Sequence, residues 1–217
     1  MAGKADGRTR PRRSDGEITR ARVLDATVAS ILEKGYYQTS SNEIARRAGV
    51  TWGTIQHQFG TREALLLEVL NDRWHHLQEQ VATAQVVGDT LEERLASLLD
   101  ILAEHYEQPE HLAHLQILLD LTRDPKSSAA TRAAIAVHGA ELVQAWHPLF
   151  EQSLGAAAGD DESVKYAFVT LRGYLQGNLI ASSIAKTSDH SVQRDMLVRG
   201  VAYAIRERAA GRGITLS

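Results

Sequence analysis

The segment Ala48-Gly49-Val50-Thr51 constrains this chain more than any other stretch, because it reads as the corner between two short helices. Gly49 reaches positive φ without steric cost, which permits a sharp turn, and Val50 fills the angle behind it. Thr51 is placed to cap a second helix, Trp52 to Gln58, and the small Ala45 lets the two helices cross closely. Ahead of the corner, Ser40-Ser41-Asn42-Glu43 has the spacing of a capping box, and Ile44, Ala45 and Ala48 face inward with Arg46 and Arg47 outward. Behind it, Ile55 and Phe59 form the inward face of the second helix. Thr51, Trp52, Thr54, Gln56, His57 and Gln58 are left outside. Such a face of hydroxyls, amides and imidazole suits hydrogen bonding to base edges and phosphates. The competing reading is a pair of small helices in a generic bundle with solvated polar residues.

Charge is distributed in keeping with the first reading. Residues 1–60 carry ten Lys/Arg and six Asp/Glu, a net +4, whereas the rest of the chain is at −7. A basic head on an acidic body lets one end alone approach phosphates, although a chance fluctuation of charge would look the same. The sequence Arg8-Thr9-Arg10-Pro11-Arg12-Arg13 reads as a flexible basic arm over residues 1–16, either a minor-groove or phosphate tracker or a solubilising tail. With no cysteine in 217 residues, disulfides, thiolate-bound metals and thiol catalysis are excluded. No apolar run approaches the roughly 20 residues that cross a bilayer, and Met1 to Arg22 lack the apolar core of a secretory signal. The expectation is a soluble cytoplasmic protein with no membrane partner.

Helical periodicity covers the remainder, and no alternation persists long enough for a strand. A first helix runs from about Ile18 to Lys34 and stops at Gly35. Further helices are expected near 61–84, 90–107, 110–123, 126–154, 161–186 and 189–210, with breaks at Gly88, Pro109, Pro125, Gly155/Gly159 and Ser188 and a bend at Pro148. The fold class is all-α. Val164, Phe168, Leu171, Leu175 and Leu179 form one apolar face, beside Gly173 and Gly177, and Val192, Leu197, Val201, Ala204 and Ile205 form another. These faces serve either a subunit interface or the chain's own core.

Residues 18–70 resemble the DNA-binding domain of the TetR/AcrR family of bacterial regulators. The resemblance rests on Ile18 to Leu32, Gly35-Tyr36, Thr39-Ser40, Ile44-Ala45-Arg46-Arg47-Ala48-Gly49-Val50, Gly53-Thr54-Ile55, Phe59 and Thr61-Arg62-Glu63-Ala64-Leu65. It implies a three-helix helix-turn-helix domain over 17–77 and a helical ligand-sensing and dimerisation domain over 78–217. It also implies a homodimer that represses from a palindromic double-stranded operator and is released by a small, largely apolar effector. The last two long helices of each protomer would meet their symmetry mates as a four-helix bundle. The DNA-contacting set it implies is Ser40, Ser41, Arg46, Thr51, Trp52, Gly53, Thr54, Gln56, His57 and Arg62. Trp52 and Gln56 stand where the family commonly has lysine and tyrosine, so the operator is expected to differ from those of better-known relatives. Gln56 suits a bidentate contact to adenine. Trp52 either packs on sugar or a thymine methyl or covers the helix junction.

Polar and aromatic side chains among apolar ones, namely Tyr106, His114, Gln116, Trp146, Tyr174 and Asn178, are the candidate effector contacts. No cofactor is expected. His105, His111 and His114 invite a metal reading, which the break at Pro109 and the want of a fourth ligand count against. There is no phosphate-binding glycine loop, His-Glu-x-x-His pair or nucleophile elbow, so an enzyme is not expected.

Overall fold

The structure, a computed structural model, describes residues 15–185 and 191–216. Nine α-helices and no strand occur among the described residues: α1 (Asp15–Lys34), α2 (Ser41–Ala48), α3 (Trp52–Phe59), α4 (Arg62–Thr83), α5 (Leu91–Tyr106), α6 (Pro109–Arg123), α7 (Ala129–Leu154), α8 (Asp161–Ile184) and α9 (Ser191–Gly211). A short 3-10 turn, Gly155–Gly159, links α7 to α8. Of the basic arm anticipated over residues 1–16, residues 1–14 lie outside the described residues, as does the break at Ser188, and residues 15 and 16 already belong to α1.

Local chemistry sets the helix ends. Gly35, at φ 83°, ends α1, and Gly49, at φ 65°, ends α2, with the Val50 amide bonded back to the Ala45 carbonyl at 3.0 Å. Ser40, Thr51, Thr61, Thr90 and Ser128 each cap the helix that follows, accepting from the backbone three residues on. Only half of the capping box expected at Ser40 forms. Ser40 Oγ accepts from the Glu43 amide at 3.2 Å, but the Glu43 carboxylate instead takes Lys34 at 2.9 Å, Arg46 at 2.7 Å and Arg47 at 3.0 Å. Three cations outcompete one backbone amide, and they hold this carboxyl far below its ordinary range. The complete box lies at Thr90–Glu93. Pro109 opens α6, where a missing amide proton costs nothing, and α7 continues through Pro148.

Two hydrophobic clusters organise the helices. One gathers Val23, Ile31, Ile44, Ala45, Ile55, Phe59, Leu65 and Val69 from α1–α4, and it also takes Ala113, Ile117 and Leu121 from α6. The other is built from α5, α7, α8 and α9, with Leu77 of α4 joining it. Thus α4 runs from one cluster to the other, and α6, far along the chain, completes the N-terminal core. Packing therefore crosses the boundary drawn near residue 77. Polar ties follow the same seam. The Tyr36 amide donates to Gln116 Oε1 at 3.3 Å, the Tyr37 hydroxyl to Asp120 at 2.6 Å, and the Ser128 amide to Glu63 at 2.9 Å.

Candidate functional site

The corner between α2 and α3 is held from behind. Ile55 and Phe59 anchor α3 in the N-terminal core, and Arg22 of α1 donates to the Ala48 carbonyl just before the turn. Arg62 stacks over the Tyr36 ring at 4.7 Å and donates to the carbonyls of Tyr36 and Thr39, both at 3.3 Å. Its guanidinium ties the start of α4 to the α1–α2 loop. Arg20 pairs with Glu68 and lies over the Phe59 ring, and Arg47 pairs with Glu33 and Glu43. Arg46 also bonds Glu43, yet 68% of its side chain is exposed.

The residues expected to meet DNA sort into two groups. Gly53, Thr54, Gln56 and His57 lie exposed along one side of α3, with Thr51, Ser40 and Arg46 exposed around them. Trp52 is half-buried and packs against the N-terminal cluster. Ser41 and Arg62 are half-buried as well. The Thr51 hydroxyl is already engaged, accepting from the Thr54 amide at 3.1 Å and lying 3.0 Å from the Thr54 hydroxyl.

A cavity of about 400 Å³ opens between α4, the end of α5, α6, α7 and α8. Its walls are largely leucine with Trp74 and Ile135, and its polar groups are Arg73, His105, Tyr106, His111, His114, Thr122, Arg123, His138, Arg172 and Gln176. Of the candidate effector contacts, Tyr106 and His114 line it and four do not. Gln116 points the other way, to Tyr36, because successive residues of α6 face opposite cores. Trp146 is buried behind the wall, its ring centroid 6.1 Å from Tyr106 and 6.0 Å from His105. Tyr174 packs on the C-terminal cluster, and Asn178 is half-buried outside the lining.

The three histidines that Pro109 was expected to separate share this wall instead. Ring centroids of His105 and His111 are 5.6 Å apart, and those of His111 and His114 are 6.5 Å apart. Burial, reinforced by the charge of Arg73, lowers their pKa values to about 2 for His105, 3 for His111 and 4 for His114. All three rings are therefore neutral near pH 7. No group of three His, Asp or Glu among the described residues is arranged to hold a metal ion. Burial pushes the Tyr106 hydroxyl up to about 12. The Nδ1 atoms of all three histidines and the Nε atoms of Arg73 and Arg172 are buried without a hydrogen-bond partner.

Of the two readings left open for the apolar faces of α8 and α9, burial favours the chain's own core for the bulky residues. Val164, Phe168, Leu171 and Leu175 are buried in the protomer's own core, as are Val201 and Ile205 of α9. A different stripe is exposed: Tyr166, Val169, Gly173, Gly177, Ile180 and Ile184, spaced by three and four residues along one side of α8. Val192, Met196 and Tyr203 are exposed on α9. Space is open around an added Cβ at Gly173, Gly177 and Gly200, so another helix can approach closely there.

Known proteins are similar to this chain in sequence at its N-terminal helices and in overall fold. Residues 23–69 match the bacterial regulatory proteins of the tetR family. An HTH-type transcriptional regulator BetI from Burkholderia thailandensis is 40% identical over 62 residues, 27% of this chain and 32% of that protein, and the BetI of Burkholderia cenocepacia matches to the same extent. The chain thus spans about a third of the length of the curated relatives it matches. Across the whole fold it is similar to a putative transcriptional regulator from Pseudomonas aeruginosa, with a TM-score of 0.65, 20% identity, and 92% and 96% of the two chains covered. It is also similar to the fatty acid degradation regulator FadR from Bacillus halodurans, with a TM-score of 0.60, 17% identity, and 89% and 96% covered. Residues 23–69 thus carry the N-terminal domain of the bacterial regulatory proteins of the tetR family, and the chain shares its fold with these solved structures along nearly its whole length.

Proposed function

We propose that this chain regulates transcription as a homodimer, each protomer laying α3 in a major groove of a two-fold related operator, and that a small molecule in the cavity releases it. The observation that carries the DNA-reading part is α3 itself. The helix is fixed by two buried side chains, capped at Thr51, and left with Thr54, Gln56 and His57 exposed on one side. Arg62 serves in this account as a positioning residue that fixes α4 against the α1–α2 loop. Among the described residues no helix is long and apolar enough to cross a membrane.

Gln56→Ala tests the readout. It is expected to cost about 1–3 kcal/mol on the operator, the worth of a bidentate amide–base contact, and far less on random DNA. Fluorescence anisotropy on both DNAs checks this, and equal losses would make Gln56 a backbone contact.

Release follows from the sharing of helices. One face of α6 presents Ala113, Ile117 and Leu121 to the DNA-binding domain while the other presents His111, His114 and Leu118 to the cavity. Along α4, Leu65, Leu66 and Val69 support the reading head, and Arg73, Trp74 and Leu77 line the cavity. A ligand that prefers a wider separation of α4 and α6 draws the reading heads away from groove spacing. Only that difference in affinity between the two arrangements moves the equilibrium. A coupling of about 1–3 kcal/mol changes operator affinity by roughly 5- to 150-fold.

A further inference from the structure

The polar content of the cavity is not what a purely apolar effector needs. Arg73 projects from α4 and Arg172 from α8, and both contribute to the lining. Neither takes part in an ion pair among the described residues. Arg73 donates one bond, at 2.6 Å, to the His105 carbonyl, and Arg172 lies 4.8 Å above the Phe168 ring. Their Nε atoms are buried and unpartnered, and their charges converge on Tyr106 and His111. Glu110 is the acid whose charge bears on Arg73, but it sits exposed at the start of α6 and forms no ion pair with it. Holding two half-buried guanidiniums without a counter-ion is unfavourable unless an anion arrives to pair with them. Around them stand neutral histidines, each with a buried Nδ1 lacking a partner, and Gln176 Nε2 lies 3.2 Å from His111 Nε2. Leu70, Trp74, Leu115, Leu118, Leu119 and Leu142 supply the apolar part of the lining.

We infer that the effector is an amphipathic monocarboxylate whose head group pairs with Arg73 and Arg172 while its apolar body lies along the leucine wall. This rests on the ligand-responsive reading above and adds the chemical class of the ligand to it. A guanidinium presents a fork of donors that matches a carboxylate, and two of them approaching from different helices fix where the head group sits. The buried imidazoles and the Tyr106 hydroxyl supply the neutral hydrogen bonds that a desolvated carboxylate also requires. A volume of about 400 Å³ holds a molecule of roughly a dozen heavy atoms.

Three probes of equal length but different head group test the assignment: decanoate, decanol and decylamine, each titrated calorimetrically into the full chain without DNA. Decanoate is expected to bind at least tenfold more tightly than decanol, and decylamine more weakly than either. Arg172→Gln is expected to abolish the preference for decanoate over decanol, and Arg172→Lys to retain part of it. Equal affinities on the unmodified chain, a preference for decanol or decylamine, or no binding of decanoate overturns the inference whether or not the variants fold. A fourth titration, of decanoate into the protein–operator complex, separates the two proposals. Tight binding that leaves the complex intact keeps the carboxylate site and removes its role in release.

Discussion

Lowering the pH from 7 to 5 is expected to destabilise the folded chain by several kcal/mol. In the unfolded chain His105, His111 and His114 take up protons near pH 6.5, whereas in the folded chain burial holds their pKa values at about 2, 3 and 4. Above pH 6.5 the rings are neutral in both states and stability is at its full value. As pH falls through 6.5 the unfolded state gains protons that the folded state refuses, so stability drops by about 1.4 kcal/mol per pH unit for each ring. It levels off only below the folded values. Between pH 7 and 5 this comes to on the order of 2 kcal/mol per histidine, and the three together are comparable with the whole stability of an ordinary domain. Glu43 and Asp160, held low by their arginine partners, lose their contribution in a more acidic window and leave this one clear. Urea unfolding at pH 7, 6 and 5 checks the prediction, and His111→Gln should remove about a third of the slope. Stability that stays flat over this range would mean that the rings are not enclosed as described.

A charge on the exposed stripe of α8, or at Tyr203 of α9, is expected to separate the proposed dimer while leaving each chain folded. Val169 is 51% and Tyr203 66% exposed, so Val169→Glu and Tyr203→Glu remove little from the protomer's own core. In a two-fold interface each substitution occurs twice. At about 2–3 kcal/mol for each buried, unpaired carboxylate, dimerisation weakens by roughly a thousandfold or more. Operator affinity falls with it, because one short reading helix gives a monomer only half of the contacts. Analytical ultracentrifugation with circular dichroism reads both parts. A Val169→Glu chain that remains dimeric would place the interface elsewhere.

The helices were legible in the sequence because proline, glycine and capping residues mark their ends and the 3.6-residue period fills the spans between. The corner at Gly49 was legible for the same reason, since only a glycine suits φ 65° there. The cavity was harder to read. A helix with two buried faces defeats the assumption that one face is the core. On α6, Ala113, Ile117 and Leu121 serve one cluster and His111 and His114 the other side, so Gln116 was assigned to the cavity from which it turns away. Arg73 and Arg172 were not among the candidates, and only the packing of five helices reveals where their guanidiniums lie. On α8 two apolar stripes run side by side. The bulkier one, Phe168 with Leu171 and Leu175, went to the interior, and the glycine-bearing one stayed outside.

Selection of DNA from a random-sequence pool by the full chain tests the central claim most directly. The account predicts enrichment of an inverted repeat whose half-sites lie about one helical turn, ~34–36 Å, apart or slightly more. Enrichment should weaken when Gln56 is replaced by alanine and collapse when Val169 is replaced by glutamate. Recovery of a single asymmetric half-site, or of no preferred sequence at all, would contradict it.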